Sequence, residues 1–237
     1  MSQDDFYLKK EANDFYERWY ANGGSEYKGD LRGNKASILS VLDENLSLDH
    51  LKVLEVGCFV GDLLSVLRQN FSCDVYGIET SSKACKKCSE LFGISLENSS
   101  FVSSSIFSLD HESRSTFDLI IFDDVLSWMG RSTILQVIAV ADWLLADEGS
   151  IFIRDFSPPF SFAFENHHQK GHGIYNFKQS NGHRRFFCES GIYYEKYSRV
   201  YTDASLQKVM TSRPDSMTWS DSIITKNKNH LFPILAM

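Results

Sequence analysis

The sequence lacks a long hydrophobic run and is poor in proline. No stretch of its 237 residues approaches the roughly 18 consecutive apolar residues that a membrane-spanning helix needs. The best candidate, residues 137–146, is interrupted by Asp142. The first residues are acidic and lack the basic and apolar parts of a signal peptide. These absences predict a soluble, cytoplasmic protein without a membrane segment.

Positive charge is also scarce, since the net charge is −7. Proteins that bind nucleic acid usually carry a basic patch, because neutralising phosphates supplies much of their affinity. The basic clusters here, at 83–87 and 183–185, are short. The composition therefore disfavours nucleic acid as a main partner, and it leaves the oligomeric state open.

The sequence contains few cysteines, and their number is odd. The five cysteines and the absence of a signal peptide predict reduced thiols rather than a disulfide framework. Cys85 and Cys88 form a CxxC pair, but a zinc site needs further ligands, and no second pair lies close in sequence. We expect no metal site and interpret the pair as part of a solvated helix face.

What the chain does have is apolar residues in an alternating pattern of strands and helices. Hydrophobic residues make up 43% of the sequence, enough for the core of one α/β domain over residues 1–237. Ser81 is a predicted helix N-cap, and Gly93 is the predicted end of that helix. The alternation predicts a parallel, doubly wound sheet. The predicted strands are 51–56, 73–78, 101–102 (weak), 117–122 and 150–155, and the predicted helices are 62–69, 81–92 and 132–145.

The flanking segments differ from this central core, which spans residues 51–156. Residues 1–50 form a predicted helical cap with a helix at 35–42. Residues 157–237 are predicted to form a substrate-side insertion and C-terminal strands. The insertion is irregular and aromatic-rich as far as Gly191. A strand at 192–201, a helix at 204–210 and an apolar run at 231–237 follow, and a tight turn at 147–149 precedes the strand at 150–155.

Three segments at the carboxyl ends of predicted strands carry suggestive chemistry, because ligands of doubly wound sheets bind at those ends. The first runs from Glu55 through Gly57 to Gly61, where glycines allow a sharp turn and close approach to a ligand. Glu79, about 20 residues further on, suits two ribose hydroxyls. Asp123 and its neighbour Asp124 end an apolar strand and would favour a cationic group.

In this order the segments resemble the class I S-adenosylmethionine-dependent methyltransferases. Residues 53–61 resemble motif I, 76–79 the acidic end of strand two, 117–129 the strand-four motif and 144–150 the turn before strand five. The resemblance covers about residues 51–156. It implies a Rossmann-like, doubly wound and mostly parallel seven-stranded α/β sheet, with an N-terminal helical cap and an aromatic-rich insertion after strand five.

The resemblance also implies S-adenosyl-L-methionine as cofactor and assigns residues to it. Two departures stand out, because Phe59 replaces the middle glycine of motif I and Ser105 replaces the usual acidic residue near the adenine. By resemblance, motif I surrounds the methionine part, Glu79 and Thr80 meet the ribose, Ser105 and Ile106 meet the adenine, and Asp123 or Asp124 lies near the sulfonium. The motif I residues are Glu55, Gly57, Cys58, Phe59 and Gly61.

Two other functions compete with the methyltransferase interpretation. A nicotinamide-dependent dehydrogenase would share the sheet and an acidic residue at Glu79. It would also need G-x-G-x-x-G, which the loop between Gly57 and Gly61 does not supply. A non-catalytic homologue that binds the cofactor without methyl transfer stays open.

The methyl acceptor is expected to meet the segment after strand five. Methyl transfer is an in-line displacement, so it needs a base only if the acceptor is a hydroxyl or a protonated amine. His167 and His168 are the candidate bases, because imidazole titrates near neutrality. The stretch 153–158 with the aromatic, histidine-bearing loop is similar to bacterial methyltransferases that modify surface sugars or small metabolites. We therefore expect O-methylation of a small molecule, with N-methylation or a protein acceptor as alternatives. The candidate acceptor-binding residues are Trp128, Tyr175, Lys178 and Arg184.

Overall fold

The computed structural model describes residues 14, 16–17, 33–101, 115–165, 175–202 and 218–226. Among these residues, helices and strands alternate between residues 33 and 156, as predicted for the central core. The helices are α1 (Gly33–Asn45), α2 (Asp62–Phe71), α3 (Ser82–Phe92), α4 (Arg131–Leu144) and α5 (Arg184–Cys188), and a 3₁₀ turn spans Leu126–Trp128. The strands are β1 (Lys52–Val56), β2 (Asp74–Ile78), β3 (Phe117–Asp123), β4 (Leu145–Phe156), β5 (Phe162–Glu165), β6 (Tyr175–Lys178), β7 (Tyr193–Thr202) and β8 (Thr218–Lys226).

Six of these strands form one sheet in the order β2-β1-β3-β4-β8-β7, and β5 pairs with β6 in a separate hairpin. The pairs among β2, β1, β3 and β4 are parallel, whereas β8 is antiparallel to both of its neighbours. The mixed α/β, Rossmann-like fold is therefore confirmed. A parallel bridge joins Ile78 to Glu97 on the outer side of β2, and a seventh strand stays a prediction.

Helices cover both faces of the sheet because its central strands are apolar on both sides. The run 119–122 in β3 is fully buried, as expected for a strand between two helical layers. Its residues alternate between the two cores: Ile120 packs with Val137 of α4, and Ile121 packs with Ile38 of α1. Among the described residues, no helix is long and apolar enough to cross a membrane.

The ends of α3 confirm two predictions from local sequence. The Ser81 hydroxyl accepts a hydrogen bond from the backbone N–H of Ala84 at 3.2 Å, which caps the helix. Gly93 ends it in the left-handed conformation, with φ of 62°. The helix at the N-terminal side, α1, extends the predicted span at both ends.

Two predicted details near the sheet differ in the structure. Phe101 of the predicted strand 101–102 lies in a 3₁₀ turn, and its ring packs edge-on against Phe122; residue 102 lies outside the described residues. The predicted turn at 147–149 has a left-handed residue, Glu148 with φ of 67°, but it forms a bulge within β4 rather than preceding the strand. The register there jumps from Leu145 opposite Phe117 to Ser150 opposite Leu119.

The segment after β4 is more regular than predicted. The hairpin of β5 and β6 and the helix α5 interrupt the expected irregular stretch. Strand β8 was missed because it is polar, yet it lies between β4 and β7 and is mostly buried. The predicted helix at 204–210, the apolar run at 231–237 and most of the N-terminal cap lie outside the described residues.

Candidate active site

The loop between β1 and α2 adopts backbone conformations that favour glycine. Gly57 and Gly61 have φ values of 69° and 72°, and Phe59 between them also has a positive φ of 52°. A Cβ atom on Gly57 would lie 2.8 Å from the Val125 side chain, and one on Gly61 would lie 2.5 Å from the Cys88 sulfur. The loop therefore packs directly against α3 and the segment after β3.

The same packing corrects the interpretation of the CxxC pair. Cys88 is fully buried beneath the loop, beside Cys58, rather than on a solvated helix face. Only its partner Cys85 is partly exposed. The apolar face of α3 faces the glycine loop, and a glycine at position 61 makes room for the sulfur.

Glu79 follows β2 and holds the loop in place through a hydrogen bond. Its Oε2 accepts from the backbone N–H of Phe59 at 2.9 Å, and its Oε1 accepts from the backbone N–H of Ser81 at 2.8 Å and from the Thr80 hydroxyl at 3.3 Å. Burial raises the pKa of Glu79, although these donors oppose the shift. These donors use three of the roughly four lone-pair positions of the carboxylate, so Oε2 can still accept from one further hydroxyl.

Phe59, the residue in place of a glycine, uses both its backbone and its ring. Its N–H meets Glu79, while its ring lies 5.4 Å from the ring of Tyr16, a buried residue of the N-terminal segment. The phenylalanine at position 59 thus connects the N-terminal segment to the loop between β1 and α2. A glycine at this position could not make that contact.

A buried lysine joins the ends of β1 and β3. The ammonium of Lys35 lies 2.5 Å from Glu55 Oε1 and 2.9 Å from Asp123 Oδ2. Burial raises the pKa of Glu55 to about 7, even though Lys35 opposes the shift. Burial disfavours the charged form of Lys35 as well, but the two carboxylates outweigh it and raise the pKa of its ammonium.

This arrangement has more carboxylate than cation. Glu55 Oε2 and Asp123 Oδ1 are buried and have no hydrogen-bond partner among the described residues. Buried polar atoms are rarely left in this state, so their presence beside a glycine loop indicates a ligand site for a cationic group. S-adenosylmethionine carries ribose hydroxyls and two cationic groups, which suit the acceptor oxygens of Glu79, Glu55 and Asp123.

Lys35 was not identified from the sequence, although a signal was present. Lys35, Ile38 and Leu42 are spaced by three and four residues, so all three lie on one helix face. Because Ile38 and Leu42 are fully buried, the lysine is carried into the interior with them. A charged residue on an apolar helix face indicates a buried partner.

A second polar cluster lies at the ends of β3 and β4. Asp155 is buried and accepts from the backbone N–H of Ser127 at 2.9 Å, from the Ser127 hydroxyl and from the backbone N–H of Phe156 at 2.7 Å. Its Oδ2 lies 3.4 Å from Nδ1 of His183, which is also buried. Burial opposes ionisation, yet His183, Lys178 and Ser127 lower the pKa of Asp155.

Lys178 adds a cation to this cluster. It is only 1% exposed, and its ammonium lies 3.7 Å from the centre of the Phe156 ring and 5.1 Å from that of Trp128. Such contacts are cation–π interactions. Burial lowers the pKa of Lys178 to about 8, against the attraction of Asp155 and Asp124.

Asp124 and Trp128 pair with each other beside the second cluster. The indole Nε1 of Trp128 donates to Asp124 Oδ1 at 3.2 Å. Burial and the nearby Asp155 raise the pKa of Asp124. Asp123 and Asp124 thus have separate environments, because the first pairs with Lys35 and the second lies on the side of Asp155 and Lys178.

The structure brings most, but not all, of the predicted site residues together. Arg184 lies in an ion pair with Glu195, and for Tyr175 only the backbone position at the start of β6 is described. Sequence reasoning missed Lys35, Ser127 and His183 as site residues. His167, His168, Ser105 and Ile106 lie outside the described residues.

Comparisons with known proteins agree with this geometry. The sequence profile of a family described as "Methyltransferase domain" matches residues 47–204. A search of curated protein sequences found no match.

Several solved structures share the fold. The 1,6-didemethyltoxoflavin-N1-methyltransferase of Burkholderia thailandensis, solved with S-adenosylhomocysteine, superposes with a TM-score of 0.65 at 14% identity, covering 96% of this chain and 92% of its own. The magnesium protoporphyrin IX methyltransferase of Synechocystis PCC 6803, solved with S-adenosylmethionine, has a TM-score of 0.57 at 16% identity and covers 94% and 95%. A SAM-dependent methyltransferase from Archaeoglobus fulgidus has a TM-score of 0.60 at 13% identity and covers 90% and 100%. The chain therefore belongs to the methyltransferase domain family and is an S-adenosylmethionine-dependent methyltransferase.

Proposed function

We propose that this methyltransferase transfers a methyl group to a hydroxyl of a small molecule such as a sugar or metabolite. The observation that carries the proposal is the buried cluster of Asp155, Lys178 and His183 beside the strand ends. A hydroxyl acceptor must lose a proton during transfer, and this cluster contains groups that can take one. The net charge of −7 disfavours nucleic acid as the acceptor.

The proposed cofactor site is the loop 57–61 with the ends of β1, β2 and β3. Glu79 and Thr80 hold the ribose diol, and the peptide groups from Gly57 to Gly61 approach the methionine part. The unpartnered oxygens of Glu55 and Asp123 attract its cationic groups. The bound cofactor supplies an electrophilic methyl group on a sulfonium. The residues of the chain hold the acceptor in line and exclude water, which are the main sources of rate for such a displacement.

The acceptor side of the proposed site is the cluster around Asp155, together with Trp128, Tyr175 and Arg184. Structural neighbours named for toxoflavin and protoporphyrin methylation act on small molecules, which supports an acceptor of that size. N-methylation and a protein acceptor are the alternatives that the experiments below test. His167 and His168 stay candidate bases from the sequence.

The finer features of the fold belong to the same proposal. We expect the bridge at Glu97 to lead into a seventh strand, residues 1–50 to form the helical cap, and the insertion after β4 to complete the acceptor side. The five free cysteines, three of them buried, support a reducing, cytoplasmic location.

Calorimetric titration with S-adenosylhomocysteine tests the cofactor site, with NAD as a parallel ligand. We expect Glu79→Ala to weaken binding by about 1–3 kcal/mol, because the loss leaves buried donors unpaired. Glu90→Ala is the matched control, since Glu90 is exposed on α3 and should leave affinity unchanged. Unchanged affinity in a folded Glu79→Ala protein would remove Glu79 from the ribose role, and binding of NAD would overturn the cofactor assignment.

A transfer assay tests the acceptor class. The purified protein and methyl-labelled S-adenosylmethionine are incubated with separate panels of nucleotide sugars, hydroxylated metabolites, small amines and peptides. The proposal predicts label on an oxygen of a small molecule, identified by mass spectrometry and NMR. Label found only on nitrogen, or only on peptides, would contradict it.

A further inference from the structure

We propose that His183 is the catalytic base of this methyltransferase, and that Asp155 positions it by holding its other ring nitrogen. The inference rests on the proposed O-methylation and names the group that takes the proton. It assigns the role to a residue other than His167 and His168, on the evidence of described contacts.

The imidazole of His183 is buried and lacks a hydrogen-bond partner among the described residues. His183 is fully buried, and its Nδ1 lies 3.4 Å from Asp155 Oδ2, slightly beyond a good hydrogen bond. Neither ring nitrogen makes a hydrogen bond to the described residues. Buried polar atoms are nearly always paired, so an unpaired Nε2 points to a ligand. Catalytic hydrogen bonds are often long before substrate binds and shorten in the productive complex.

Asp155 is held in one position by its hydrogen bonds. Three donors hold its carboxylate, two from Ser127 and one from the backbone of Phe156. A carboxylate held in this way stays in place while the imidazole gains a proton, and it stabilises the imidazolium. The same division of roles between a histidine and a buried aspartate occurs in hydrolytic triads.

His183 lies at the same end of the sheet as the loop 57–61. Ser127 lies two residues after Val125, and the Val125 side chain packs against Gly57 so closely that a Cβ there would lie 2.8 Å from it. The contacts therefore run without a break from the loop through the segment after β3 to Asp155 and His183. The loop proposed to hold the methyl donor and the proposed base therefore lie at the same end of the sheet, as transfer requires.

The other titratable groups facing His183 suit different roles. Lys178 lies over the Phe156 ring and near two carboxylates. Burial lowers the pKa of its ammonium to about 8, so at neutral pH it is still mainly cationic and suits the orientation of an acceptor oxygen. Asp124 accepts from Trp128, and burial favours its neutral form. His183 has Asp155 beside its Nδ1 and an Nε2 without a hydrogen-bond partner among the described residues, the two features that a histidine base needs.

In the proposed step, proton transfer accompanies methyl transfer. The acceptor O–H bond breaks and its proton passes to Nε2 of His183, while the acceptor oxygen bonds to the methyl carbon. The carbon–sulfur bond breaks, and its electron pair stays on sulfur. The imidazolium remains beside Asp155 and later loses its proton to solvent.

Kinetics of His183→Gln and Asp155→Asn test the inference, with His50→Gln as the matched control because His50 is exposed and distant in the fold. Single-turnover transfer is measured against pH with the hydroxyl acceptor identified above. We expect His183→Gln to lower the rate by about 10²–10⁴-fold, the usual contribution of a general base. Affinity for S-adenosylhomocysteine should stay within about twofold, as for the control.

A comparison of acceptors separates a base from a purely structural residue. The rate lost in His183→Gln should be smaller for an analogue with a more acidic hydroxyl, because that acceptor needs less help to lose its proton. An equal loss for both analogues would assign His183 a structural role and overturn the proposal. So would a rate unchanged from wild type.

Histidine tautomers give a second measurement that needs neither an acceptor nor a variant. Nitrogen-15 NMR of the wild-type protein with S-adenosylhomocysteine should show His183 with its proton on Nδ1 and a free Nε2. A proton on Nε2 instead would overturn the proposal. If the protein binds S-adenosylhomocysteine but methylates only nitrogen, O-methylation fails, whereas an Nδ1-protonated His183 would still support the pairing with Asp155.

Discussion

Replacing Lys35 by methionine tests whether the buried ion cluster behaves as its geometry implies. The substitution keeps the apolar stem but removes the cation from between Glu55 and Asp123. Breaking a buried ion pair by removing one partner costs about 3–5 kcal/mol, because the remaining charge has no compensation. We therefore expect a loss of that size in the free energy of unfolding at pH 8.

The pKa of Glu55 predicts how the free energy of unfolding changes with pH. Burial raises the folded-state pKa of Glu55 from 4.5 to about 7. Such a group contributes stability that is fully present below pH 4.5 and is lost as the pH rises through about 7, an effect of about 3 kcal/mol at 1.36 kcal/mol per pKa unit. Without Lys35 the pKa of Glu55 rises further, so the variant recovers stability on acidification as this carboxyl takes a proton.

Urea denaturation at pH 8 and pH 5.5 measures both effects. Lys86→Met serves as the control, because Lys86 is exposed and the change should alter stability by less than about 0.5 kcal/mol at either pH. The loss in the free energy of unfolding caused by Lys35→Met, relative to the control, should be smaller at pH 5.5 than at pH 8. An equal difference at both pH values would refute the coupling between Lys35 and Glu55, and no difference at all would refute the buried pair.

Two further substitutions probe the packing around the site. Gly61→Ala should destabilise the protein by about 2–4 kcal/mol in thermal unfolding, from a left-handed backbone and a clash with the Cys88 sulfur; Gly93→Ala shares the backbone conformation without the clash, so similar losses for both would contradict the close packing. Asp221→Asn should cost about 3–5 kcal/mol in urea denaturation, because Asp221 is fully buried and takes two hydrogen bonds from Arg154; a loss below about 1 kcal/mol would mean that this pair contributes little.

The sheet and the glycine loop were largely predictable from the sequence. Strands β1, β3 and β7 and helices α2 to α4 follow from local patterns, since apolar periodicity determines which face of an element is buried. The caps of α3 and the positive φ values at Gly57 and Gly61 depend on residue type alone. The position of Glu79 at a strand end follows from the same reasoning.

Strand β8 and the buried cysteine show where local patterns fail. The first half of β8 contains Ser220, Asp221 and Ser222, a sequence typical of a solvated segment. These side chains are buried because neighbouring strands supply partners, such as Arg154 opposite Asp221. Cys88 was interpreted as solvated because nothing local reveals that Gly61 lies against it.

The two ionic clusters were decided only by the tertiary structure. Lys35 meets Asp123, and His183 meets Asp155, across long separations in the chain. Side-chain periodicity shows which face of an element a residue occupies but not which distant element packs there. The sequence determined the strand-and-helix order and the cofactor loop, because both depend on local conformation. The partners of each buried charge, and with them the chemistry of the acceptor side, depend on how the elements pack across the sheet.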